Sequence, residues 1–345
     1  MANRCRRLSP VASPAAGLRA ISIAELDQRI AERDTRPLIE WDGKIRMSVA
    51  GYQDKLLVYA DGEPEAGAPM FLPDFPLAST HILKPQPTDV RLPHMVANEH
   101  FCMTLAQSLG LPAARVAILR TPRPVLVVTR FDRAILHREE SKVERKHIID
   151  ACQASDLPVS YKYEGNIGSV GDAAHYRDGV SLPKLFELLR HVNRKAIDKL
   201  SMLRWALFQL VIGNSDAHGK NFSFFVHRSG LQAAPWYDLV SVVQYPQLSH
   251  ELAMAFGDVF IMEQIKGFAL ADFAQRCAID RRLMLRESRR FRDGVRKHAM
   301  ALAHAGPYEE AERDLVQGIA AFAIAQSERL CDSAAEALGI PDELL

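Results

Sequence analysis

The 345-residue sequence has few cysteines, no long hydrophobic run and almost no net charge. Its five cysteines are scattered and form no Cys-x-x-Cys pair, which argues against a zinc site or a disulfide framework and for a reducing compartment. No apolar stretch approaches the roughly 18 residues that a membrane-spanning helix needs. The net charge of +1 gives no global electrostatic reason to bind nucleic acid or an acidic membrane surface. These absences predict a cytoplasmic globular protein that does not bind membranes.

The composition of the remaining chain is that of an ordinary folded protein, with 48% hydrophobic and 25% charged residues. The length allows one large domain or two lobes. Residues 1–20 combine several arginines with serine, proline, alanine and glycine, and prolines interrupt any hydrophobic segment. We therefore expect a flexible N-terminus rather than a cleaved signal peptide.

Residues 21–149 are predicted to form a β-rich half with one prominent helix. Ser22, with Glu25 as its capping-box partner, predicts the start of a first helix over residues 21–33. The main helix is predicted over residues 94–109, ended by Gly110. A loop is expected at residues 63–76, which are rich in proline, glycine and alanine. Residues 44–60 are predicted to form two strands around a tight connection, and apolar, β-branched segments predict further strands at 79–84, 113–119 and 125–131.

Residues 150–345 are predicted to be mainly helical. Apolar residues at i, i+3, i+4 spacing predict four helices, at residues 181–194, 196–212, 281–305 and 309–338. Between the two halves, the charged residues 136–146 indicate a surface hairpin or excursion. A β-rich N-lobe followed by a helical C-lobe predicts an α+β fold with the bilobal layout of protein kinases.

The most informative stretch is a loop between a long predicted helix and an apolar run. On it, Asp216 and Asn221 are separated by four residues, with His218 and Lys220 between them. Kinase catalytic loops place a base and a magnesium ligand at this separation. A predicted strand–turn–strand follows and ends at a second acid, Asp238. Asp-x4-Asn alone is common, because both residues are ordinary loop formers, so the interpretation depends on the added hairpin and acid.

Two residues of the β-rich half complete a phosphotransfer site. Lys84 ends a predicted strand, and Glu99 lies in the middle of the following helix. Protein kinases use such a lysine on the ATP phosphates and steer it with a helix glutamate. A surface lysine and a solvated glutamate are the alternative, and the catalytic-loop residues favour the functional interpretation. The turn at residues 48–55 could cover the phosphates with backbone N–H groups, although it lacks a G-x-G-x-x-G motif.

Several short motifs occur in one order along the chain and together resemble the HipA family of serine/threonine kinase toxins. The resemblance covers about residues 40–300 and implies a bilobal kinase fold related to phosphatidylinositol kinases. The motifs are residues 48–55 (SVAGYQDK), 129–133 (TRFDR), 150–154 (DACQA) with 162–164 (KYE), 214–223 (NSDAHGKNFS) and 237–239 (YDL).

The resemblance implies ATP and Mg²⁺ as cofactors and a role for each site residue. Asp216 resembles the catalytic base, Asn221 and Asp238 the magnesium ligands, and Lys84 the lysine on the ATP phosphates. Glu99 would support Lys84, and Ser48 matches a serine that family members autophosphorylate. The further ATP-binding residues implied are Ser48, Val49, Ala50 and Gly51 of the phosphate loop, Asp150 and Ala151 of an adenine-reading hinge, and His218 and Lys220 of the catalytic loop.

Three departures from the family pattern refine this expectation. Only 47 residues precede Ser48, so the chain resembles the short HipT type, in which the N-terminal subdomain is a separate small protein. Arg46 stands where such loops often carry a second serine, which leaves Ser48 as the only loop serine. Asp238 is followed by Leu239 and Val240 rather than Phe-Gly, so activation through a phenylalanine switch is not expected.

The leading hypothesis is a toxin of a HipBA or HipBST-type toxin–antitoxin system. The resemblance implies an aminoacyl-tRNA synthetase as target, a helix-turn-helix antitoxin as partner, and contact with DNA only through that antitoxin. Two alternatives stay open. A small-molecule kinase of the aminoglycoside or choline type usually has His two residues before the catalytic Asp, where this chain has Asn214. A catalytically silent scaffold in a repressor complex disagrees with the intact Lys84, Asp216, Asn221 and Asp238.

Overall fold

The computed structural model describes residues 17–46, 53–137, 141–165 and 176–345. Within these residues, no helix is both long enough and apolar enough to cross a membrane. Strands dominate up to Asp150 and helices dominate after it, so the α+β class is confirmed. The domain boundary at residue 150 stays a prediction, and residues 1–16 of the N-terminus predicted to be flexible lie outside the described residues.

The first half contains short strands around one long buried helix. Its elements are β1 (Leu18–Ile21), α1 (Ile23–Ala31), β2 (Glu40–Trp41), β3 (Lys44–Ile45), β4 (Leu56–Val58), β5 (Met70–Pro73), β6 (His81–Pro85), α2 (Met95–Ser108), β7 (Val116–Arg120), β8 (Pro124–Thr129), β9 (Arg133–His137), β10 (Lys142–Arg145) and β11 (Ile148–Asp150).

A four-stranded antiparallel sheet in the order β4-β6-β8-β7 organises this half. Lys84 lies on β6, opposite Leu126 of β8. The helix α2 packs against β7 and β8 on one side and against two long C-terminal helices on the other. Most of its side chains are buried, Asn98 and Glu99 included. The sheet and α2 therefore hold Lys84 and Glu99 inside the protein rather than on its surface.

The second half is mainly helical, with two β-hairpins inserted between helices. Its elements are α3 (Ala151–Ala154), α4 (Leu182–Glu187), α5 (Lys195–Ile212), β12 (Ser223–His227), β13 (Gly230–Ala233), β14 (Glu251–Phe256), β15 (Val259–Ile261), α6 (Gly267–Arg276), α7 (Arg281–Ala305) and α8 (Glu310–Glu336).

The hairpin of β12 and β13 confirms the strand–turn–strand expected between the catalytic loop and Asp238. A third strand, β11, pairs with β12, so that Asp150 lies opposite Ser223. This pairing brings the end of the first half beside the loop that precedes β12. The sheet thus joins two stretches that are about 70 residues apart in sequence, as the Lys220–Asp150 contact also does.

The structure corrects four local predictions. The stretch expected to be a loop at 63–76 contains β5, which pairs with β1. The strands β3 and β4 do not form a hairpin with each other, because β3 pairs with β2 and β4 with β6. The helix expected at 181–194 ends at Glu187 and continues as a 3₁₀ turn. Residues 267–276, for which no helix was predicted, form α6.

The start of α1 is correct in position but wrong in detail. The Ser22 hydroxyl accepts a hydrogen bond from the Glu25 N–H at 3.1 Å, as an N-cap should. The Glu25 carboxylate does not return a bond to Ser22; it pairs with the Arg19 guanidinium instead. A charged partner from β1 thus replaces the reciprocal half of the expected capping box.

Candidate active site

The loop with Asp216 and Asn221 begins at Gly213, which ends α5 in a left-handed conformation with φ of 70°. A Cβ atom at this position would lie 2.4 Å from a methyl group of Val243 and 2.7 Å from the Phe322 ring. Only glycine satisfies both the backbone angle and this close packing. The direction in which the loop leaves α5 is therefore determined by one residue.

Hydrogen bonds within the loop determine its shape. The Asn214 amide donates to Gln209 Oε1 at 2.8 Å and accepts from the Asp216 N–H at 3.2 Å. Further along, the His218 N–H donates to Asn221 Oδ1 at 3.1 Å. Most of the loop is buried, but Asp216 is exposed. The loop thus presents one carboxylate to solvent from an otherwise buried and hydrogen-bonded frame.

Four of the predicted residues meet at one point. Lys84 Nζ donates to Glu99 Oε1 at 2.6 Å and to Asp238 Oδ1 at 2.8 Å. The second oxygen of Asp238 accepts a bond of 2.9 Å from the Asn221 amide. Lys84 and Asp238 are 154 residues apart in sequence, so this contact joins the β-rich half to the helical half.

The charges in this group stabilise one another. Burial alone would lower the pKa of Lys84, but the carboxylates of Asp238 and Glu99 outweigh it and raise that pKa. The Lys84 ammonium in turn lowers the pKa of Asp238. Burial raises the pKa of Glu99, against the effect of Lys84. A cationic Lys84 between two carboxylates is the state that this geometry favours.

The two acidic partners of Lys84 differ in solvent exposure. The Glu99 side chain is only 2% exposed, whereas that of Asp238 is 41% exposed. Asp238 also adopts a positive φ of 60°, which is uncommon for a non-glycine residue and is found preferentially at functional sites. Glu99 is therefore positioned to support Lys84, while Asp238 is accessible to a ligand.

The donor set at Asp238 and Asn221 fits a magnesium ion. Mg²⁺ takes oxygen ligands, usually one or two from the protein and the others from water and phosphate. Asp238 offers an exposed carboxylate. Asn221 donates its NH2 group to that carboxylate, and its Oδ1 accepts from the His218 N–H, so the Asn221 oxygen would ligate the metal only after the side-chain amide turns. In the part of the chain that the structure describes, no cluster of three or more His, Cys, Asp or Glu forms a closed metal site. Further oxygen ligands would therefore come from a bound nucleotide and water.

Other predicted ATP-binding residues surround this group. Lys220 forms an ion pair with Asp150, which caps α3. The His218 ring packs edge-on against Tyr163 at 5.2 Å, and burial lowers its pKa. The His218 Nδ1 atom is buried and has no hydrogen-bond partner among the described residues. This nitrogen on the catalytic loop would need the surrounding side chains to move before it could contact a ligand.

The structure limits which backbone groups of the predicted adenine-reading hinge, at Asp150 and Ala151, could bind a nucleotide. The Ala151 N–H already donates to the carbonyl oxygens of Gly219 and Phe222, at 3.0 and 2.9 Å. That N–H is therefore not available to an adenine ring, and any hinge role of this segment would need its other backbone groups. The role itself stays a prediction.

The phosphate-loop residues Ser48, Val49, Ala50 and Gly51 lie outside the described residues. The end of the same loop is described at Lys55. Burial and the nearby charge of Lys84 lower the pKa of Lys55, and Asp238 and Glu99 partly offset this effect. Lys55 is thus close enough to Lys84, Asp238 and Glu99 for their charges to change its pKa.

Two residues near the site carried no predicted role. Tyr163 donates its hydroxyl proton to Asp216 Oδ1 at 2.7 Å. Asn98, one residue before Glu99, accepts from the Ser241 N–H at 2.8 Å and donates to the Ser241 carbonyl at 3.0 Å. Ser241 follows Asp238 by three residues, so Asn98 ties the metal-site segment to α2. The only sequence signal for Asn98 was a polar residue within an apolar helix.

We expect Asn98→Ala to lower the free energy of unfolding by about 2 kcal/mol or more, because two buried backbone groups of Ser241 would lose their hydrogen-bond partners. The measurement is urea unfolding of the variant and the wild type. Thr104→Ala on the same helix is the matched control, since Thr104 is partly exposed and should change stability by about 0.5 kcal/mol or less. Equal shifts in the two variants would contradict the role assigned to Asn98.

Comparison with known proteins places this site in a family. Residues 47–302 match the HipA-like C-terminal domain. The serine/threonine-protein kinase toxin HipA of Shewanella oneidensis is 39% identical over 336 residues, which are 96% of this chain and 73% of that protein. The putative kinase Y4mE of Sinorhizobium fredii is 39% identical over 249 residues, which are 71% of this chain and 54% of that protein.

Comparison with solved structures indicates the same relationship. The Shewanella oneidensis HipA chain, solved with HipB and its operator DNA, aligns with a TM-score of 0.82 and 35% identity, over 97% of this chain and 76% of that one. The Helicobacter pylori kinase CtkA aligns with a TM-score of 0.53 and 13% identity over 88% of this chain and 97% of that one, which shows a shared fold alone. About a quarter of the HipA chain lies outside the match. The chain belongs to the HipA-like family of serine/threonine-protein kinases.

Proposed function

We propose that this kinase transfers the γ-phosphate of ATP to a serine or threonine hydroxyl of another protein, at the site formed by Lys84, Asp216, Asn221 and Asp238. The observation that carries the proposal is the contact of Lys84 with both Glu99 and Asp238. This contact combines a phosphate-binding cation with an exposed carboxylate that suits a metal. It lies beside the loop on which Asp216 is exposed to solvent.

Each residue then has a distinct task. Lys84 binds phosphate oxygens of ATP, and Glu99 keeps its ammonium group charged and oriented. Asp238 and Asn221 would hold Mg²⁺, which when bound neutralises phosphate charge and orients the γ-phosphate. Asp216 accepts the proton of the acceptor hydroxyl as its oxygen attacks phosphorus and the bond to the β-phosphate oxygen breaks. His218 and Lys220 border the nucleotide from the catalytic loop.

We further propose that the protein is the toxin of a toxin–antitoxin system and that its target is a component of translation. The name of the Shewanella relative, a kinase toxin, supports the first part. An aminoacyl-tRNA synthetase is the target class that the family resemblance implies. We place the protein in the cytoplasm, where its four described cysteines, all unpaired and buried, would stay reduced.

We propose a HipB-like helix-turn-helix antitoxin as partner, with DNA contacted only through it. The support is the solved Shewanella assembly, which contains HipA, HipB and operator DNA. A small separate protein equivalent to the N-terminal subdomain is a second partner in the short type. Genes for these proteins next to the kinase gene would support the system type.

The two alternative functions receive less support. A catalytically silent scaffold would not need Lys84, Asn221 and Asp238 to meet within hydrogen-bonding distance. A small-molecule kinase differs in its acceptor, so a screen of protein and small-molecule acceptors with labelled ATP separates the two enzymes. Transfer to aminoglycosides or choline in place of proteins would replace the proposal.

Replacing Asp216 by asparagine should abolish the base while keeping the size of the side chain. We expect phosphate transfer from labelled ATP to purified aminoacyl-tRNA synthetases to fall by about 10²- to 10⁴-fold. Growth inhibition on overexpression should disappear as well. Asp156→Asn, at an exposed turn outside the site, is the matched control and should keep full activity. Near-normal transfer by Asp216→Asn would remove Asp216 from the role of base.

Replacing Asp238 by asparagine should weaken binding of Mg-ATP more than binding of metal-free ATP. Asparagine keeps the side-chain size, and Glu99 still pairs with Lys84, so the fold should tolerate the change. The loss should be selective because the carboxylate charge is what attracts the metal. Calorimetric titrations with and without magnesium measure both affinities. An equal loss under the two conditions would contradict the assignment of Asp238 as a magnesium ligand.

We also propose that Ser48 is autophosphorylated and that phosphorylation weakens ATP binding. A phosphate there would add about −1.5 to −2 charges next to the ATP phosphates and would attract donors such as Arg46 or Lys55. Since Arg46 replaces the second loop serine, a single site should account for the effect. Intact-mass spectrometry after incubation with Mg-ATP should find one added phosphate on Ser48, absent in Asp216→Asn. A phosphate elsewhere, or unchanged ATP affinity after modification, would refute this proposal.

A further inference from the structure

A tyrosine contacts the predicted base from the side of the helical half. The Tyr163 hydroxyl donates to Asp216 Oδ1 at 2.7 Å, across 53 residues of sequence. In the described part of the chain, this is the side-chain hydrogen bond that reaches the Asp216 carboxylate. The other carboxylate oxygen, Oδ2, accepts no side-chain hydrogen bond from the described residues and can therefore accept one from a ligand.

The backbone on both sides of Tyr163 is firmly held. The Lys162 carbonyl accepts from the Gly219 N–H at 2.8 Å, which ties this segment directly to the catalytic loop. The Glu164 N–H donates to the Ala253 carbonyl at 2.9 Å. The Glu164 carboxylate is buried, pairs with Arg177 and accepts from the Ala255 N–H at 2.8 Å.

A third contact closes the segment from the opposite side. The Val180 N–H donates to the Tyr161 carbonyl at 2.9 Å. At Gly179, a Cβ atom would lie 1.7 Å from the Tyr163 carbonyl oxygen, so only glycine permits this approach. The backbone at Tyr163 is therefore enclosed by β14, the catalytic loop and residues 179–180.

The Tyr163 ring is held as well. It packs edge-on against the His218 ring at 5.2 Å, and the Lys162 ammonium lies 4.7 Å from its centroid. Burial and the nearby Asp216 charge both raise the pKa of Tyr163. The phenol therefore stays protonated and remains a hydrogen-bond donor at neutral pH.

We propose that Tyr163 is a positioning residue, whose hydroxyl holds Asp216 Oδ1 so that Oδ2 faces the acceptor hydroxyl. This inference rests on the proposed role of Asp216 as base. In the reaction, the acceptor proton moves to Oδ2, and Tyr163 keeps its own proton throughout. A carboxylate that rotates freely would be aligned with the acceptor hydroxyl for less of the time. Misplacement of a reacting group by about 1 Å can lower the rate of an enzyme by about 10²-fold.

The test is Tyr163→Phe, which removes the hydroxyl and keeps the ring against His218 and Lys162. We expect kcat for phosphate transfer from labelled ATP to purified aminoacyl-tRNA synthetases to fall about 10-fold. The melting temperature, the affinity for Mg-ATP and KM for the acceptor should remain unchanged. Tyr161→Phe is the matched control, because it lies in the same segment and its side chain makes no hydrogen bond to Asp216; it should keep full activity.

A double variant separates positioning from a general structural effect. In the Asp216→Asn background, Tyr163→Phe should cause no further loss, because the hydroxyl acts only through the base. An additive loss would overturn the proposal, as would an unchanged kcat. Loss of Mg-ATP binding together with activity would show a structural role and also overturn it.

The opposite result has a clear meaning too. If the Tyr163 hydroxyl occupied the place of the acceptor, Tyr163→Phe would raise kcat or lower KM for the acceptor, and the positioning role would be wrong. Failure of this inference is distinguishable from failure of the proposed function. If Asp216→Asn is inactive while Tyr163→Phe equals the wild type, only the role of Tyr163 fails. If Asp216→Asn stays active, the base assignment itself fails.

Discussion

The burial of one positive charge determines how this site is built. The Lys84 side chain is only 7% exposed, and a buried ammonium is costly unless it is paired and hydrogen-bonded. Glu99 and Asp238 satisfy it from two different halves of the chain. Because two carboxylates share the ammonium, loss of one leaves it paired with the other, whereas a buried charge left with no partner typically costs about 3–5 kcal/mol. The pairing therefore ties the relative positions of β6, α2 and the segment after β13 to one another.

The rest of the site extends this pairing outward. Asn98 and Glu99 are neighbours on α2. Asn98 forms hydrogen bonds with the backbone of Ser241, and Glu99 accepts a hydrogen bond from the Lys84 ammonium. Since α2 also packs against α7 and α8, its position depends on the helical half as well as on the sheet. Asp238 has no phenylalanine after it, and the Asn98 contacts keep its segment against α2. We interpret the pairing of Lys84 with Glu99 and Asp238 as preassembled, whereas the hydrogen bond from Asn221 to Asp238 must open before both residues can hold a metal ion.

The elements around the site that are encoded within short stretches could be predicted from the sequence. The spacing of Asp216 and Asn221, the hairpin after them and the acid at Asp238 all appear as expected, because each is encoded within a short stretch. The long helices α5, α7 and α8 were also predictable, since their apolar residues recur at helical spacing. The helix α6 was missed although its apolar residues recur at helical spacing, because it is only ten residues long, begins at Gly267 and has no side-chain hydrogen bond at its N-cap. The strand β5 was missed because its partner, β1, is about 50 residues away and its flanks resemble a loop.

Contacts between distant residues were the part that no local pattern could provide. Tyr163 lies in one of the short motifs, but no role of its own was predicted for it, and Asn98 lies in none of them. Each contacts a partner many residues away. The Ala151 N–H, in the segment predicted as the hinge, likewise donates to two carbonyl groups of the catalytic loop. Such hydrogen bonds depend on tertiary packing between distant segments, which residue spacing does not encode.

The most direct measurement is a crystal structure of the protein with magnesium and a non-hydrolysable ATP analogue. The account predicts phosphate oxygens bound to Lys84, a metal ion between Asp238 and Asn221, and Asp216 Oδ2 facing the γ-phosphate while Lys84 still contacts Glu99. A nucleotide bound away from Lys84, or a metal ion held by other residues, would contradict it.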